Sequence, residues 1–101
     1  MLGANLREKY PNRVPVVVVC KEDINITLER TKFLVSSDST IASFIILLRQ
    51  YITLKKHEAL FLIVNNTLVP NNSNLLSVYN DHKSTDDGLL YIHIAKENTF
   101  G

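Results

Sequence analysis

Residues 41–52 read Ile41-Ala42-Ser43-Phe44-Ile45-Ile46-Leu47-Leu48-Arg49-Gln50-Tyr51-Ile52, and the spacing of their apolar members decides the fold. Ile41, Phe44, Ile45, Leu48 and Ile52 recur at the interval that gathers side chains on one face of a helix, so a helix with a core-facing stripe is predicted here. Ile46 and Leu47 fall outside that stripe. On so small a domain, apolar residues beyond the core face are either extra core or the lining of a groove for a partner. Ser36-Ser37-Asp38-Ser39-Thr40 stands just before the segment and supplies the oxygen-bearing side chains that cap a helix N-terminus.

Upstream, residues 14–20 form an apolar run rich in β-branched side chains, too short and too branched for a helix. The run reads as a strand buried on both faces, with Pro15 near its start or on an edge. The polar Lys21-Glu22-Asp23 turns the chain, and Lys32-Phe33-Leu34-Val35 reads as a second strand, paired with the first in a hairpin. Downstream, the continuous apolar run 59–64 reads as a central strand flanked on both sides and ended by a tight turn at Asn65-Asn66. Leu68-Val69-Pro70 is a short extended piece, and residues 74–82 a short helix. Asp86-Asp87-Gly88 turns into the last strand, residues 89–95, where Leu90, Ile92 and Ile94 share one face and Leu89, Tyr91 and His93 the other. The order is that of an α+β β-grasp: a mixed four-stranded sheet wrapped on one long helix. Other α+β folds share the pattern.

The 101 residues, 46% hydrophobic and 21% charged, suffice for one folded domain and argue against disorder. Eleven basic against ten acidic residues give a net charge of +1, scattered singly or in pairs such as Lys55-Lys56. A nucleic-acid groove concentrates positive charge, so no nucleic-acid partner is expected. Cys20 is the sole cysteine, which excludes an intrachain disulfide, and Met1-Leu2-Gly3-Ala4 lacks the layout of a signal peptide. The expected setting is therefore the reducing cytoplasm, where Asn25-Ile26-Thr27, Asn65-Asn66-Thr67 and Asn71-Asn72-Ser73 serve as turns rather than glycosylation sites. No apolar run approaches the roughly 18 residues of a membrane span. An enzyme reading would need Cys20 as nucleophile with His57, His82 or His93 as base, and a cysteine ending an apolar strand is more often an inert small residue. The histidines lack short metal spacing and the three glycines form no phosphate loop, so neither metal nor cofactor is expected.

Lys9-Tyr10-Pro11-Asn12-Arg13-Val14-Pro15-Val16, Lys32-Phe33-Leu34-Val35, residues 60–68 (LFLIVNNTL), Tyr79-Asn80-Asp81-His82-Lys83 and Glu97-Asn98-Thr99-Phe100-Gly101 closely resemble, in order and spacing, the light-chain-three and GABARAP family of autophagy modifiers. The resemblance runs from about Lys9 to Gly101. It implies a short extension (1–9), a ubiquitin-like domain (10–95) with at most one short helix before it, and a flexible conjugation tail (96–101). It also implies that Gly101 is activated by an ATP-dependent enzyme, passed between cysteines as a thioester and amide-bonded to phosphatidylethanolamine, with Thr99 and Phe100 presenting it. A residue without Cβ leaves its carboxylate open to attack in a narrow channel, and two acyl chains anchor stably where one does not. The chain is then a substrate of enzymes and not itself one. Its implied partners are the activating and conjugating enzymes, a deconjugating cysteine protease, cargo receptors, and the autophagosome membrane reached through the lipid; it is expected to be a monomer.

The same resemblance implies docking of short motifs that carry an aromatic residue and, three positions later, a branched aliphatic one. The motif would add a strand to the edge at residues 32–35. By position, the aromatic pocket would use Pro15, Val17, Lys32, Leu34 and Leu89, and the aliphatic pocket Phe33, Val35, Phe44, Leu47 and Leu48. Arg49 would meet acidic residues that flank the motif. The chain departs from the family pattern at Ser36, where proline is common, at Tyr51, commonly basic, at Leu89, commonly phenylalanine, and in one extra residue within 84–87. These changes are expected to alter motif preference or strength. The rival reading is a peptide-binding adaptor that is never conjugated, or a modifier joined to a protein lysine.

Overall fold

The β-branched run of residues 14–20 has few helical rotamers and many cross-strand partners, and in a computed structural model of the chain it forms strand β1, Arg13–Cys20. The structure describes residues 1–20, 28–52 and 58–98. The turn expected at Lys21-Glu22-Asp23, the Asn25-Ile26-Thr27 stretch, Lys55-Lys56, His57 and the tail residues Thr99, Phe100 and Gly101 lie outside the described residues.

A helix α1, Leu2–Lys9, precedes β1, and β2, Lys32–Ser36, returns beside it. Helix α2, Ile41–Leu48, follows, then β3, Glu58–Val64, the two-residue β4, Thr67–Leu68, helix α3, Leu75–His82, and β5, Leu90–Asn98. The strands form one mixed sheet in the order β2-β1-β5-β3-β4. β1 runs antiparallel to β2 and parallel to β5, while β3 is antiparallel to both β5 and β4. This is the mixed α+β sheet of a β-grasp with a fifth, two-residue strand where the sequence showed only an extended piece.

Three further expectations are corrected. The central strand is β5, not β3; β3 has β5 along its length and β4 only at Ile63 and Val64. Its burial alternates residue by residue, the mark of a strand with one covered face. β1 buries Val14, Val16 and Val18 on the core face, whereas on the other face Pro15 is buried but Val17 and Val19 are only half-buried. Helix α2 stops at Leu48, with eight residues like its two neighbours: the last turn tightens through Gln50 N–H to Leu47 O and Tyr51 N–H to Leu48 O, and Ile52 reaches the core from outside the helix.

The cap positions follow the sequence. Thr40 Oγ1 accepts the amide of Ser43, and Asn74 Oδ1 that of Ser77, so α2 and α3 each start with one orphan donor satisfied, whereas α1 begins at Met1 with no side-chain cap. Asn65 and Asn66 both adopt positive φ, at 50° and 64°, the pairing of a type I′ hairpin between β3 and β4. The core is one cluster: Ile41, Phe44 and Leu48 of α2 and Leu75, Val78 and Tyr79 of α3 pack with Val14, Val16, Val18, Leu60, Leu62, Val64, Leu90, Ile92 and Ile94 of the sheet. Ile46, by contrast, is 65% exposed.

Candidate functional site: the β2 edge and its flanking cavity

β2 lies at the end of the sheet and pairs only with β1, in the register Pro15↔Leu34 and Val17↔Lys32. Val18 N–H donates to Thr31 O, which makes Val18–Thr31, and by alternation Val16–Phe33 and Val14–Val35, the hydrogen-bonded pairs. Lys32, Leu34 and Ser36 therefore direct their main-chain polar groups away from β1, toward the open edge. Pro15 sits in the alternate position, so its missing N–H removes no bond to β2, and parallel pairing with β5 begins only at Val16.

On the sheet's outer face beside this edge is a cavity of about 300 Å³ lined by Leu2, Leu6, Pro15, Val16, Val17, Arg30, Lys32, Phe33, Leu34 and Leu89. The five residues expected to form an aromatic pocket, Pro15, Val17, Lys32, Leu34 and Leu89, are thus brought together on one cavity. Four of the lining residues, Leu2, Leu6, Val16 and Arg30, were not among those expected, and Phe33 was expected in the other pocket. The two leucines stand four residues apart on an otherwise polar segment, and that spacing would have put them on one helix face. Arg30 carried no local signal. Its Nε donates to the Lys32 carbonyl at 2.9 Å, and its guanidinium lies 5.0 Å from the Phe33 ring centroid and 5.9 Å from that of Tyr51.

The wall contributed by α1 is held by three contacts. Gly3 N–H donates to the Asp87 carbonyl at 2.7 Å, and Gly3 packs so closely on Gly88 that a Cβ there would lie 1.9 Å from the Gly88 oxygen. Arg7 Nη1 donates to the carbonyls of Pro11 and Arg13, each at 2.6 Å, tying the helix to the start of β1. Gly88 has φ +73°, a conformation that L side chains rarely adopt. Asp87 fixes the same turn: its Oδ1 accepts the Leu89 amide at 3.0 Å and its Oδ2 the Tyr91 hydroxyl. The Tyr91 bond, then the Leu89 amide, lowers the Asp87 carboxyl below the usual carboxylate range, and the same bond raises the Tyr91 phenol.

The five residues expected in an aliphatic pocket lie on the other side of β2, against α2. Phe33, Val35, Phe44 and Leu48 are buried in the core, and only Leu47 is half-buried. Phe33 meets Phe44 and Tyr51 edge-on, with both centroid distances 5.6 Å. Here the residues adjoin as closed core, with Leu47 and the exposed Ile46 as the apolar surface above them. Arg49 is the exposed C-cap of α2.

The cysteine–histidine alternative finds no geometry among the described residues. Cys20 pairs with Ile94 and packs against the core, whereas His93 pairs with Val19, so the two project from opposite faces of the sheet. His82 Nδ1 is bonded to Asn65 Nδ2 at 2.9 Å, by the β3–β4 turn. Burial raises the Cys20 thiol, which lowers its thiolate fraction.

The family model described as "Autophagy protein Atg8 ubiquitin like" matches residues 2–101. Among curated relatives, Autophagy-related protein 8e of Arabidopsis thaliana is 42% identical over 100 residues, 98% of this chain and 81% of that protein. Autophagy-related protein 8 of Schizosaccharomyces pombe is 41% identical over 98 residues, 95% of this chain and 79% of that protein. The crystal structure of Trypanosoma brucei ATG8 superposes with a TM-score of 0.86 at 36% identity, covering 98% of this chain and 85% of that one. Plasmodium falciparum Atg8, in complex with a Plasmodium falciparum Atg3 peptide, superposes with a TM-score of 0.78 at 27% identity, covering 92% and 83%. With its mixed sheet and matches along nearly its whole length, the chain belongs to the Atg8 family of ubiquitin-like autophagy proteins.

Proposed function

We propose that this chain is an autophagy modifier joined through Gly101 to phosphatidylethanolamine on autophagosomal membranes, and that it recruits partners carrying an aromatic-x-x-aliphatic motif at the β2 edge. One geometric observation carries the docking reading. Side chains alternate along an added strand, so residues three apart project to opposite faces. At this edge the outer face offers the cavity of Pro15, Val17, Lys32, Leu34 and Leu89, and the core face offers Leu47 above Phe33, Val35, Phe44 and Leu48. A strand laid on Leu34 puts its aromatic side chain into the first and its aliphatic one against the second. Main-chain bonds to the edge supply affinity and the two surfaces select the side chains. Because the core-face residues are closed, the aliphatic anchor binds by shifting Leu47.

Conjugation rests on the family, with Thr99 and Phe100 presenting Gly101 to the activating and conjugating enzymes and to the deconjugating protease. The chemistry belongs to those enzymes; this chain is their substrate. A peptide of the enzyme Atg3 bound to the Plasmodium falciparum relative supports the conjugating enzyme as one partner. No helix among the described residues is long and apolar enough to cross a membrane, so attachment in this account comes from the lipid's two acyl chains. The protein moves between the cytoplasm and the autophagosome membrane as the lipid is added and removed. Intact mass spectrometry of the protein from starved cells, wild type beside Gly101→Ala, tests conjugation. A phosphatidylethanolamine adduct that vanishes in the variant is expected; its absence from both leaves a soluble adaptor, and an adduct on a protein lysine replaces the lipid.

A further inference from the structure

Helix α1 separates two cavities of different character. Leu2 and Leu6 face the apolar cavity, whereas Met1, Ala4 and Arg7 line a second one, of about 260 Å³, completed by Tyr79, Asn80 and Lys83 of the α3 region and by Gly88. Its floor is the Tyr79 ring, buried and fixed by a 2.6 Å bond from its hydroxyl to the Gly88 carbonyl. Two cations converge on that ring: the Arg7 guanidinium carbon at 5.9 Å from the centroid and Lys83 Nζ at 5.3 Å. Like charges gathered around one ring repel each other, and among the described residues neither has a carboxylate within salt-bridge distance. The adjoining turn carries two carboxylates, Asp86, which is exposed, and Asp87, which accepts from Leu89 N–H and the Tyr91 hydroxyl.

The guanidinium is preorganised rather than free to swing. Nη1 is committed to two carbonyls, so of the roughly five N–H donors of a guanidinium the Nε and Nη2 ones are left. Lys83 adds an ammonium and Asn80 an amide, and both side chains are exposed. Several cationic and neutral donors around one open space match a group with several acceptor oxygens and about two negative charges. From this we infer that the Arg7–Asn80–Lys83 cleft is a site for a phosphate monoester, presented by a phosphorylated serine or threonine of a partner protein. A bilayer is the poorer fit, since anionic membranes are read by clusters of about four to eight basic residues and this chain's charges are scattered to a net of +1.

The test is an amide chemical-shift titration of the full chain with a short phosphoserine peptide, its unphosphorylated twin, inorganic phosphate and vesicles rich in phosphatidylserine. The phosphoserine peptide is expected to give saturable shifts confined to Ala4, Arg7, Asn80, Lys83 and Gly88, and the unphosphorylated twin none. Lys83→Gln should weaken binding at least about fivefold, and Asn80→Asp, which adds a repelling charge, more than that. Both substitutions are on the surface, so an unchanged amide spectrum elsewhere identifies the effect as local. Shifts that fail to saturate, that spread over unrelated lysines, or that survive both substitutions overturn the site. Inorganic phosphate binding as tightly as the phosphoserine peptide makes it a free-phosphate site, and vesicles shifting the same amides more strongly than the peptide make it a lipid site; either result overturns the assignment to a protein partner.

Discussion

At Gly3 one hydrogen atom stands where any other residue would place a carbon 1.9 Å from the Gly88 oxygen, and the neighbour is backbone that cannot swing aside. Gly3→Ala is therefore expected to destabilise the fold by about 1–3 kcal/mol, the usual range for overpacking, as read by urea unfolding. It should also weaken peptide binding, because Leu2 and Leu6 move with the helix that Gly3 docks. Unfolding that matches wild type would mean that the close approach is not a constraint. Asp87, on the same turn, has its carboxyl held down by the Tyr91 hydroxyl and the Leu89 amide. A depressed carboxyl contributes stability that is present above its unfolded pKa, near 4, and is lost as pH falls through the lower folded value. The melting temperature of wild type should accordingly exceed that of Asp87→Asn near neutrality, and the gap should close below about pH 4. A gap that persists at lower pH would assign the contribution to packing instead of charge.

Helix α2 and the β3–β4 turn were legible because their signals are local: the apolar stripe, the Thr40 cap and the Asn65-Asn66 pair all act within a few residues. The turn tests this directly. Both asparagines hold positive φ, so Asn66→Val should cost about 1–2 kcal/mol in urea unfolding while Asn66→Gly is tolerated, whereas equal effects would mean the turn relaxes to another type. In α2, Phe44→Ala should cost about 3–5 kcal/mol and Ile46→Ser under about 0.5, since Phe44 is enclosed and Ile46 lies in solvent. What the stripe could not reveal is where the helix ends, because Ile52 continues the period and yet is buried from a turn after Leu48. The strand order escaped for a related reason. The apolar run 59–64 reads as central by composition, but its alternate residues are only half-covered, and the central place falls to β5, whose parallel pairing with β1 no local pattern encodes.

Across the whole molecule the same limit separates what was readable of the site from what was not. The family resemblance brought Pro15, Val17, Lys32, Leu34 and Leu89 to one cavity, yet the wall from α1 and the Arg30 guanidinium depend on tertiary contacts: Gly3 on Gly88, Arg7 on two carbonyls, Arg30 on the Lys32 carbonyl. Residues 1–9, expected as a short extension with room for at most one short helix, form that helix, and it builds one wall of each of two cavities. Helix α1 thus has an apolar cavity on one side and a basic cleft on the other. In the function proposed above, the β2 edge is a docking strand with anchors on its two faces. It is tested most directly by titrating the protein with a peptide carrying phenylalanine and, three residues on, leucine, following the amide signals of Lys32, Leu34 and Ser36. These amides are expected to shift together with Leu2, Leu89 and Leu47, and Leu34→Pro, which removes an edge donor, should abolish the effect while Ile46→Ser leaves it intact. Shifts centred on α3 or β4 with β2 silent would contradict it.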